Sequence, residues 1–224
     1  MPPCSLLLLD LDGTLIDSIE LIVRSFQHAG VAALGRTLTR EEIVPTIGRP
    51  LIAVCAEMAP GRGLEMVAAY RAWNHAHHDE YVTVYPGVSE MIAAVHQRGV
   101  PMGIVSSKAR VAAQPTFDRF GLDDGMATVV LHDDTPRHKP LPDPLLCAAE
   151  RVGVPPAACW YLGDSTHDME AARAAGMGAV GAAWGPYPVE TITALAHAIA
   201  ATPADVVALL EAANGPPGAN PPRD

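Results

Sequence analysis

Lysine is nearly missing from this chain: Lys108 and Lys139 are the only two in 224 residues. With 15 basic against 25 acidic side chains the formal charge is −10, and no basic stripe is present to neutralise a phosphate backbone. Nucleic acid is therefore not an expected partner. Cys4, Cys55, Cys147 and Cys159 form neither a C-x-x-C pair nor a zinc spacing, which argues against a disulfide scaffold or a zinc module and fits a reducing compartment. No long apolar run occurs either. The four leucines from Leu6 are cut by Asp10, too short for a bilayer, and Met1-Pro2-Pro3-Cys4-Ser5 lacks the basic start of a secretory signal. These absences lead us to expect a cytoplasmic protein with no membrane partner. No internal repeat is visible, and 49% hydrophobic residues argue against disorder.

What is present is organised around Leu6-Leu7-Leu8-Leu9-Asp10-Leu11-Asp12-Gly13-Thr14-Leu15. A leucine run that meets two carboxylates two residues apart reads as a buried parallel strand arriving at its sheet edge. A period of two would let Asp10 and Asp12 face one crevice. Gly13 then permits a sharp turn or a close approach to a ligand. Two crowded acids need a cation or a shared proton. Read alone, the four residues fit an Asp-Gly turn equally well.

The rest of the chain alternates helices and strands. A helix is expected from Asp17-Ser18 to Gly30, a capped one from Thr39 towards Ile47, and others over Leu51 to Met58 and Leu64 to His78. No strand-like alternation is seen between about 16 and 80, so this block reads as an all-α insert, 17–83, over the carboxyl edge of a sheet. Buried strands are expected at Val100 to Val105, Met126 to Leu131, Trp160 to Leu162 and Ala179 to Ala182, with helices between them. Pro115 is expected to kink or restart one of these. Another should run from Asp168 to Ala175, and one or two should close the chain over 188–213. The pattern predicts an α/β fold, a doubly wound parallel sheet built from 1–16 and 84–213, with a disordered tail over 214–224. A monomer or a homodimer is expected.

Each strand ends in a reactive group: Asp10 and Asp12, then Ser106, then Asp164, with Lys139 in the loop beyond Leu131. Ligands of such sheets sit beyond the carboxyl ends of the strands. Three acids, a hydroxyl and a lysine there form a set able to handle phosphate. Asp10 could attack phosphorus. Asp12 could protonate the leaving oxygen and later activate water. Ser106 and Lys139 could hold the phosphoryl oxygens. Mg²⁺ would relieve the repulsion between nucleophile and dianion, held by oxygen ligands and waters, with Asp164 a ligand at its strand end and Asp168 binding it directly or orienting its waters.

Asp10-x-Asp12-Gly13-Thr14, Ser106 after an apolar strand, Lys139-Pro140 and Gly163-Asp164-x-x-x-Asp168 resemble the four ordered motifs of the haloacid dehalogenase-like hydrolases. The likeness spans residues 5 to about 182. The insert resembles the helical cap of that superfamily's phosphoglycolate phosphatase-like branch. The resemblance implies a Rossmann-like core, Asp10 as nucleophile, Asp12 as general acid/base, and the Asp12 main-chain carbonyl beside Asp10 and Asp164 around Mg²⁺. It implies a phosphatase of a small anionic phosphorylated metabolite, phosphoglycolate first. Asn74 to Asp79 and His138-Lys139-Pro140 resemble a pyrophosphatase-like subgroup, so inorganic pyrophosphate is an alternative, as is a sugar phosphate mutase. A catalytically silent binding protein is the alternative from another class.

Gly13, Thr14, Ser107 and Arg49 are expected on the substrate side. Arg49 lies in Thr46-Ile47-Gly48-Arg49-Pro50-Leu51, which resembles the cap's specificity loop. Lys108 is expected at a helix start, facing solvent. His75 and His78 share a helical face, which we expect to be a solvated helix end rather than a second metal site.

Overall fold

The leucine run forms β1 (Leu6–Leu9), and all four of its side chains are fully buried. A strand sends alternate side chains to opposite faces, so Leu7 and Leu9 join one apolar cluster and Leu6 and Leu8 another. Such a strand needs cover on both faces, and each buried leucine then contributes about 1.5–3 kcal/mol. The computed structural model describes residues 1–215 and shows how that cover is built.

After β1 the chain passes through β2 (Ile16–Asp17) into helices α1 (Ile19–Leu34), α2 (Arg40–Ile43), α3 (Leu51–Met58) and α4 (Gly63–Tyr81). It returns through β3 (Thr83–Val84), then α5 (Val88–Gln97), β4 (Met102–Val105), α6 (Arg110–Phe120), β5 (Thr128–Val130) and α7 (Asp143–Val152). The last third holds β6 (Cys159–Gly163), α8 (Thr166–Ala174), β7 (Gly178–Ala182), α9 (Val189–Thr193), β8 (Ala198–Ala200) and α10 (Pro203–Asn214).

The main sheet has the order β5-β4-β1-β6-β7-β8, and every pairing in it is parallel. Helices α5, α6 and α10 cover the face of Leu7 and Leu9, while α7, α8 and α9 cover that of Leu6 and Leu8. This is the expected doubly wound α/β sheet. The chain runs outward from β1 through β4 to β5, then crosses back to β6 on the other side of β1. The order therefore reverses between β1 and β6, where a crevice opens at the carboxyl edge. Helices α1, α3 and α4 pack around their own cluster, including Ile22, Phe26, Val54 and Met66, and form a helical cap.

The structure corrects several expectations. β2 and β3 pair antiparallel, Ile16 with Val84 and Asp17 with Thr83, where none of the pattern suggested strand. Two residues are too few to show an alternation. Helix α1 continues past Gly30 to Leu34 because Leu38 packs there; a Cβ on Gly30 would lie 2.9 Å from the Leu38 side chain. Pro115 sits inside an unbroken α6. The carbonyl it leaves unserved belongs to Val111, a residue 71% exposed, where water can take over. Helix α8 starts at Thr166, not Asp168, because Ser165 caps it. β8 was not foreseen and closes the far sheet edge. The expected tail lies beyond the described residues except at its start, where α10 still includes Asn214.

Candidate active site

Parallel register brings the reactive residues together. β1 pairs with β4 on one side and β6 on the other, so the ends of these three strands are adjacent. Asp10 follows β1 and stays zipped to β6, its N–H donating to the Leu162 carbonyl at 2.9 Å. Asp164 follows β6, Ser106 follows β4, and Lys139 enters from the loop beyond β5. Ligand oxygens of Asp10, Asp164 and Asp168 lie within 4.8 Å of one another, and all three residues are buried.

Close packing of this kind needs glycine. Gly13 has φ +85°, and a Cβ there would sit 2.5 Å from the Asp164 carboxylate. Gly163 makes room in the same way for Asp168, whose Cβ would be 2.5 Å from an added side chain. Thr14 is fully buried and its hydroxyl donates to Asp164 Oδ1 at 2.9 Å. Gly13 and Thr14 thus seat Asp164 instead of facing the cavity, a correction to their expected place on the substrate side.

Lys139 is the cation of the cluster. Its Nζ donates to Asp168 Oδ1 at 2.6 Å and to the Tyr161 hydroxyl at 2.9 Å, and lies 3.0 Å from Asp10 Oδ1. The Tyr161 hydroxyl in turn has the Val105 carbonyl at 2.9 Å and Asp168 Oδ1 at 3.2 Å within donor reach. Asp168 Oδ2 accepts from the Ser165 N–H at 2.9 Å and its hydroxyl at 2.6 Å, while Ser165 Oγ accepts from the Asp168 N–H. This capping box seats α8 and takes Oδ2 of Asp168, while Lys139 and Tyr161 take Oδ1. Asp10 Oδ1 has the Lys139 ammonium beside it and makes no further hydrogen bond.

Charge follows from these contacts. Burial pushes the Asp10 carboxyl up to about 7, with Lys139 opposing and Asp168 adding to the rise. Burial also raises Asp164 well above the usual carboxylate range, reinforced by Asp168 and Asp10. For Asp168 burial acts in the same sense, but Lys139 and the Ser165 bonds outweigh it and hold that carboxyl low. Burial disfavours the Lys139 charge, yet Asp10 and Asp168 prevail and raise its pKa.

The Asp12 side chain stands apart from the acid cluster. Its Oδ1 accepts from Ser18 Oγ at 2.6 Å and from Lys108 Nζ at 2.7 Å. The Asp12 carboxylate is not among the clustered acids, which leaves its main-chain carbonyl for a metal, as the resemblance implies. Lys108 does correct an expectation, since it is not solvent-facing: its side chain is 10% exposed. Ser106 is buried, and its Oγ accepts from the Lys108 N–H at 3.2 Å. The Ser107 hydroxyl is buried without a hydrogen-bond partner.

A cavity of about 190 Å³ lies above these residues, with Asp10, Asp12, Ser106, Ser107 and Lys108 on the sheet side. The cap supplies Phe26, Ile47, Gly48, Arg49, Tyr70, Asn74 and His75. The cap loop is docked on the core by the Tyr187 hydroxyl, which has the carbonyls of Ile47 at 2.7 Å and Val44 at 3.0 Å within reach. Arg49 reaches the cavity wall, but its guanidinium donates to Glu57 at 2.5 Å. His78 corrects another expectation. It is buried, with Nδ1 on Asp79 and Nε2 on the Thr116 hydroxyl, both at 2.9 Å, and so bridges cap and core instead of facing solvent.

Sequence reading missed Ser18, Lys108, Tyr161 and Ser165. Ser165-x-x-Asp168 carries a readable capping signal. Tyr161, in a strand buried on both faces, needs a partner for its hydroxyl, which is also a signal. For Ser18 and Lys108 there was none.

Residues 7–182 match the family model of the haloacid dehalogenase-like hydrolases. The chain belongs to that family. Among relatives of this hydrolase, pyrophosphatase PpaX of Halalkalibacterium halodurans is 38% identical over 170 residues, 76% of this chain and 79% of that protein. Pyrophosphatase PpaX of Bacillus velezensis is 36% identical over 188 residues, covering 84% of this chain and 87% of that one. The crystal structure of a candidate phosphoglycolate phosphatase from Lactobacillus plantarum superposes with a TM-score of 0.82 at 26% identity, over 92% of this chain and 99% of that chain. Among the described residues no helix is long and apolar enough to cross a membrane.

Proposed function

We propose that this hydrolase is a Mg²⁺-dependent phosphatase whose substrate carries a second anionic group next to the scissile phosphate. The observation that carries the reading is the buried set of Asp10, Asp164, Asp168 and Lys139, of which Asp10 opens onto the cap–core cavity. Inorganic pyrophosphate becomes the first candidate, ahead of phosphoglycolate. The support for that order is the resemblance to the PpaX pyrophosphatases over most of both chains.

A divalent cation fits the residues present. Three carboxylates face one ammonium, so the cluster carries excess negative charge once all three are ionised, and Asp10 Oδ1 has only the Lys139 ammonium beside it. The donors are hard oxygens, which suit Mg²⁺. Asp10, Asp164 and the Asp12 carbonyl would hold it, since both oxygens of Asp168 are engaged. When bound, Mg²⁺ supplies the positive charge that lets a carboxylate approach a phosphoryl dianion.

The chain's own residues then divide the work. Asp10 attacks phosphorus; the new O–P bond makes an aspartyl-phosphate as the bond to the leaving oxygen breaks. Asp12 gives a proton to that oxygen, and afterwards takes one from the water that hydrolyses the intermediate. Lys139 and the hydroxyls of Ser106 and Ser107 meet the charge on the phosphoryl oxygens. The docked cap keeps bulk water out.

The test is phosphate release from pyrophosphate, phosphoglycolate, glucose 6-phosphate and p-nitrophenyl phosphate, with and without Mg²⁺, by the native enzyme and Asp10→Asn. Mg²⁺-dependent release, lost in Asp10→Asn and fastest for the first two substrates, is the expected result. Equal rates on all four would remove the second anion from the reading.

A further inference from the structure

Lys139 is held among three buried groups, and one of them has no part in the reaction as described: the Tyr161 hydroxyl, 2.9 Å from Nζ. We propose that Tyr161 is a positioning residue for phosphoryl transfer. Together with Asp168, its hydroxyl fixes the Lys139 ammonium so that the remaining N–H points to the Asp10 side, where the phosphoryl oxygens arrive. The proposal rests on the reading of Asp10 as nucleophile and Lys139 as the cation that meets the phosphoryl group.

Counting donors supports the assignment. An ammonium has three hydrogens to give and accepts none, whereas a carbonyl only accepts. The Tyr161 hydroxyl has one hydrogen, so it accepts from Lys139 and gives its own to the Val105 carbonyl at 2.9 Å. Asp168 Oδ1 is the longer alternative at 3.2 Å, and it already takes a Lys139 hydrogen at 2.6 Å. Burial and the surrounding acids raise the phenol well above its ordinary pKa, so the hydroxyl keeps its hydrogen. Two of the three ammonium hydrogens are thereby committed. The tetrahedral nitrogen then fixes the direction of the third, and Asp10 Oδ1 lies 3.0 Å from Nζ.

The place of Tyr161 in the sheet adds to this. It projects from β6, and its hydroxyl reaches past β1 to the end of β4, where Val105 immediately precedes Ser106. One hydroxyl therefore ties together the segments that carry Ser106, Lys139 and Asp168. Without it Lys139 keeps its charge, because Asp10 and Asp168 still surround it, but its ammonium is free to turn about the bond to Asp168. A cation that turns brings the same charge with poorer aim, and aim counts most as charge builds on the phosphoryl oxygens.

The test compares the intact native enzyme with Tyr161→Phe, which keeps the ring and removes the hydroxyl. Single-turnover phosphorylation and steady-state kinetics are measured with pyrophosphate and p-nitrophenyl phosphate. The phosphorylation rate constant should fall by about 10- to 100-fold, short of the roughly 10²–10³-fold for losing such a donor outright. The fall should be alike on both substrates, which share the phosphoryl group, with KM held within about threefold. A merely weakened fold would lower the amplitude of the single turnover and leave its rate constant unchanged. The second readout is the Lys139 ammonium itself. With only two lysines in the chain, ¹⁵N-lysine labelling gives two side-chain resonances, told apart by Lys108→Arg. In the native enzyme, alone and with Mg²⁺ and beryllium fluoride as an aspartyl-phosphate mimic, the Lys139 ammonium should show an NOE to the Tyr161 ring, whose centre is 5.4 Å from Nζ. In Tyr161→Phe its hydrogens should exchange faster with water. A native rate constant in the variant, a loss confined to KM, or unaltered exchange at Lys139 would overturn the proposal and leave the nucleophile reading intact. Loss of the NOE in the native beryllium fluoride complex would do the same without any variant. Full turnover by Asp10→Asn would instead overturn that reading, and this proposal with it.

Discussion

Replacing Asp168 by asparagine separates a metal ligand from a residue that orients the site. A carboxylate offers about four lone-pair positions. Lys139 and Tyr161 crowd Oδ1 of Asp168, and the Ser165 N–H and hydroxyl take Oδ2. Asparagine keeps the shape but puts an NH₂ in place of one oxygen. Turned one way it meets the Lys139 ammonium, turned the other it meets the Ser165 N–H, so two donors face each other in either case. The buried cation also loses one of its two carboxylate partners, while Asp10 and Asp164 gain some relief from repulsion. Breaking a buried ion pair costs about 3–5 kcal/mol, and the relief brings our expectation to about 2–4 kcal/mol without divalent metal. For a chain of this size that is a fall in Tm of roughly 5–15 °C.

Denaturant unfolding in EDTA measures the stability change, and Mg²⁺ titration of activity measures the rest. If Asp168 only orients the site, the Mg²⁺ requirement of Asp168→Asn should rise about 10- to 100-fold, as for residues that support metal ligands. Asp164→Asn should be far worse. An Asp168→Asn enzyme as impaired in Mg²⁺ use as Asp164→Asn would make Asp168 a direct ligand. Unchanged stability in EDTA would refute the account of its hydrogen bonds.

Asp12→Asn should lower turnover on unactivated esters by about 10²–10⁴ and affect single-turnover phosphorylation by activated esters less; equal losses would count against the acid role. Without metal, the folded protein holds protons on Asp10, up to about 7, and on Asp164 more tightly than the unfolded chain does. Stability from these groups is full below about pH 4 and is lost as pH rises through about 7, so Tm in EDTA should fall between about pH 5 and 8. Mg²⁺ should raise Tm more at the upper pH, since the cation replaces the protons; thermal scans showing an equal Mg²⁺ effect at both would refute this. Arg49→Ala should cost a two-anion substrate about 1–2 kcal/mol, below the 2–5 kcal/mol of a fully buried pair, because Arg49 must first leave Glu57. Glu57→Gln should lower KM for that substrate about two- to threefold, and a raised KM would refute the competition; Glu57 is 61% exposed and holds Arg49 weakly.

What the sequence made legible and what it hid differ in kind. Asp10, Ser106 and Asp164 could be read because each ends an apolar run, and a strand buried on both faces has only its carboxyl end for chemistry. Parallel pairing of β1 with β4 and β6 then had to bring them together. The capping box at Thr39 is legible because it is local, and Ser165-x-x-Asp168 carries the same signal, masked by the second role that Asp168 has beside the acid cluster. Hidden roles depend on partners far along the chain. Lys108 reaches Asp12 across 96 residues, His78 reaches Thr116 across 38, and Tyr161 reaches Val105 across 56. No periodicity records such pairs. A lone lysine after a strand and a histidine on a helix face look solvated until tertiary packing supplies the carboxylate or hydroxyl they meet. The buried charge itself was the usable clue. Asp10, Asp164 and Asp168 meet one ammonium, that of Lys139, and three acids converging on one sheet edge with a single lysine among them already imply that a further cation completes the set.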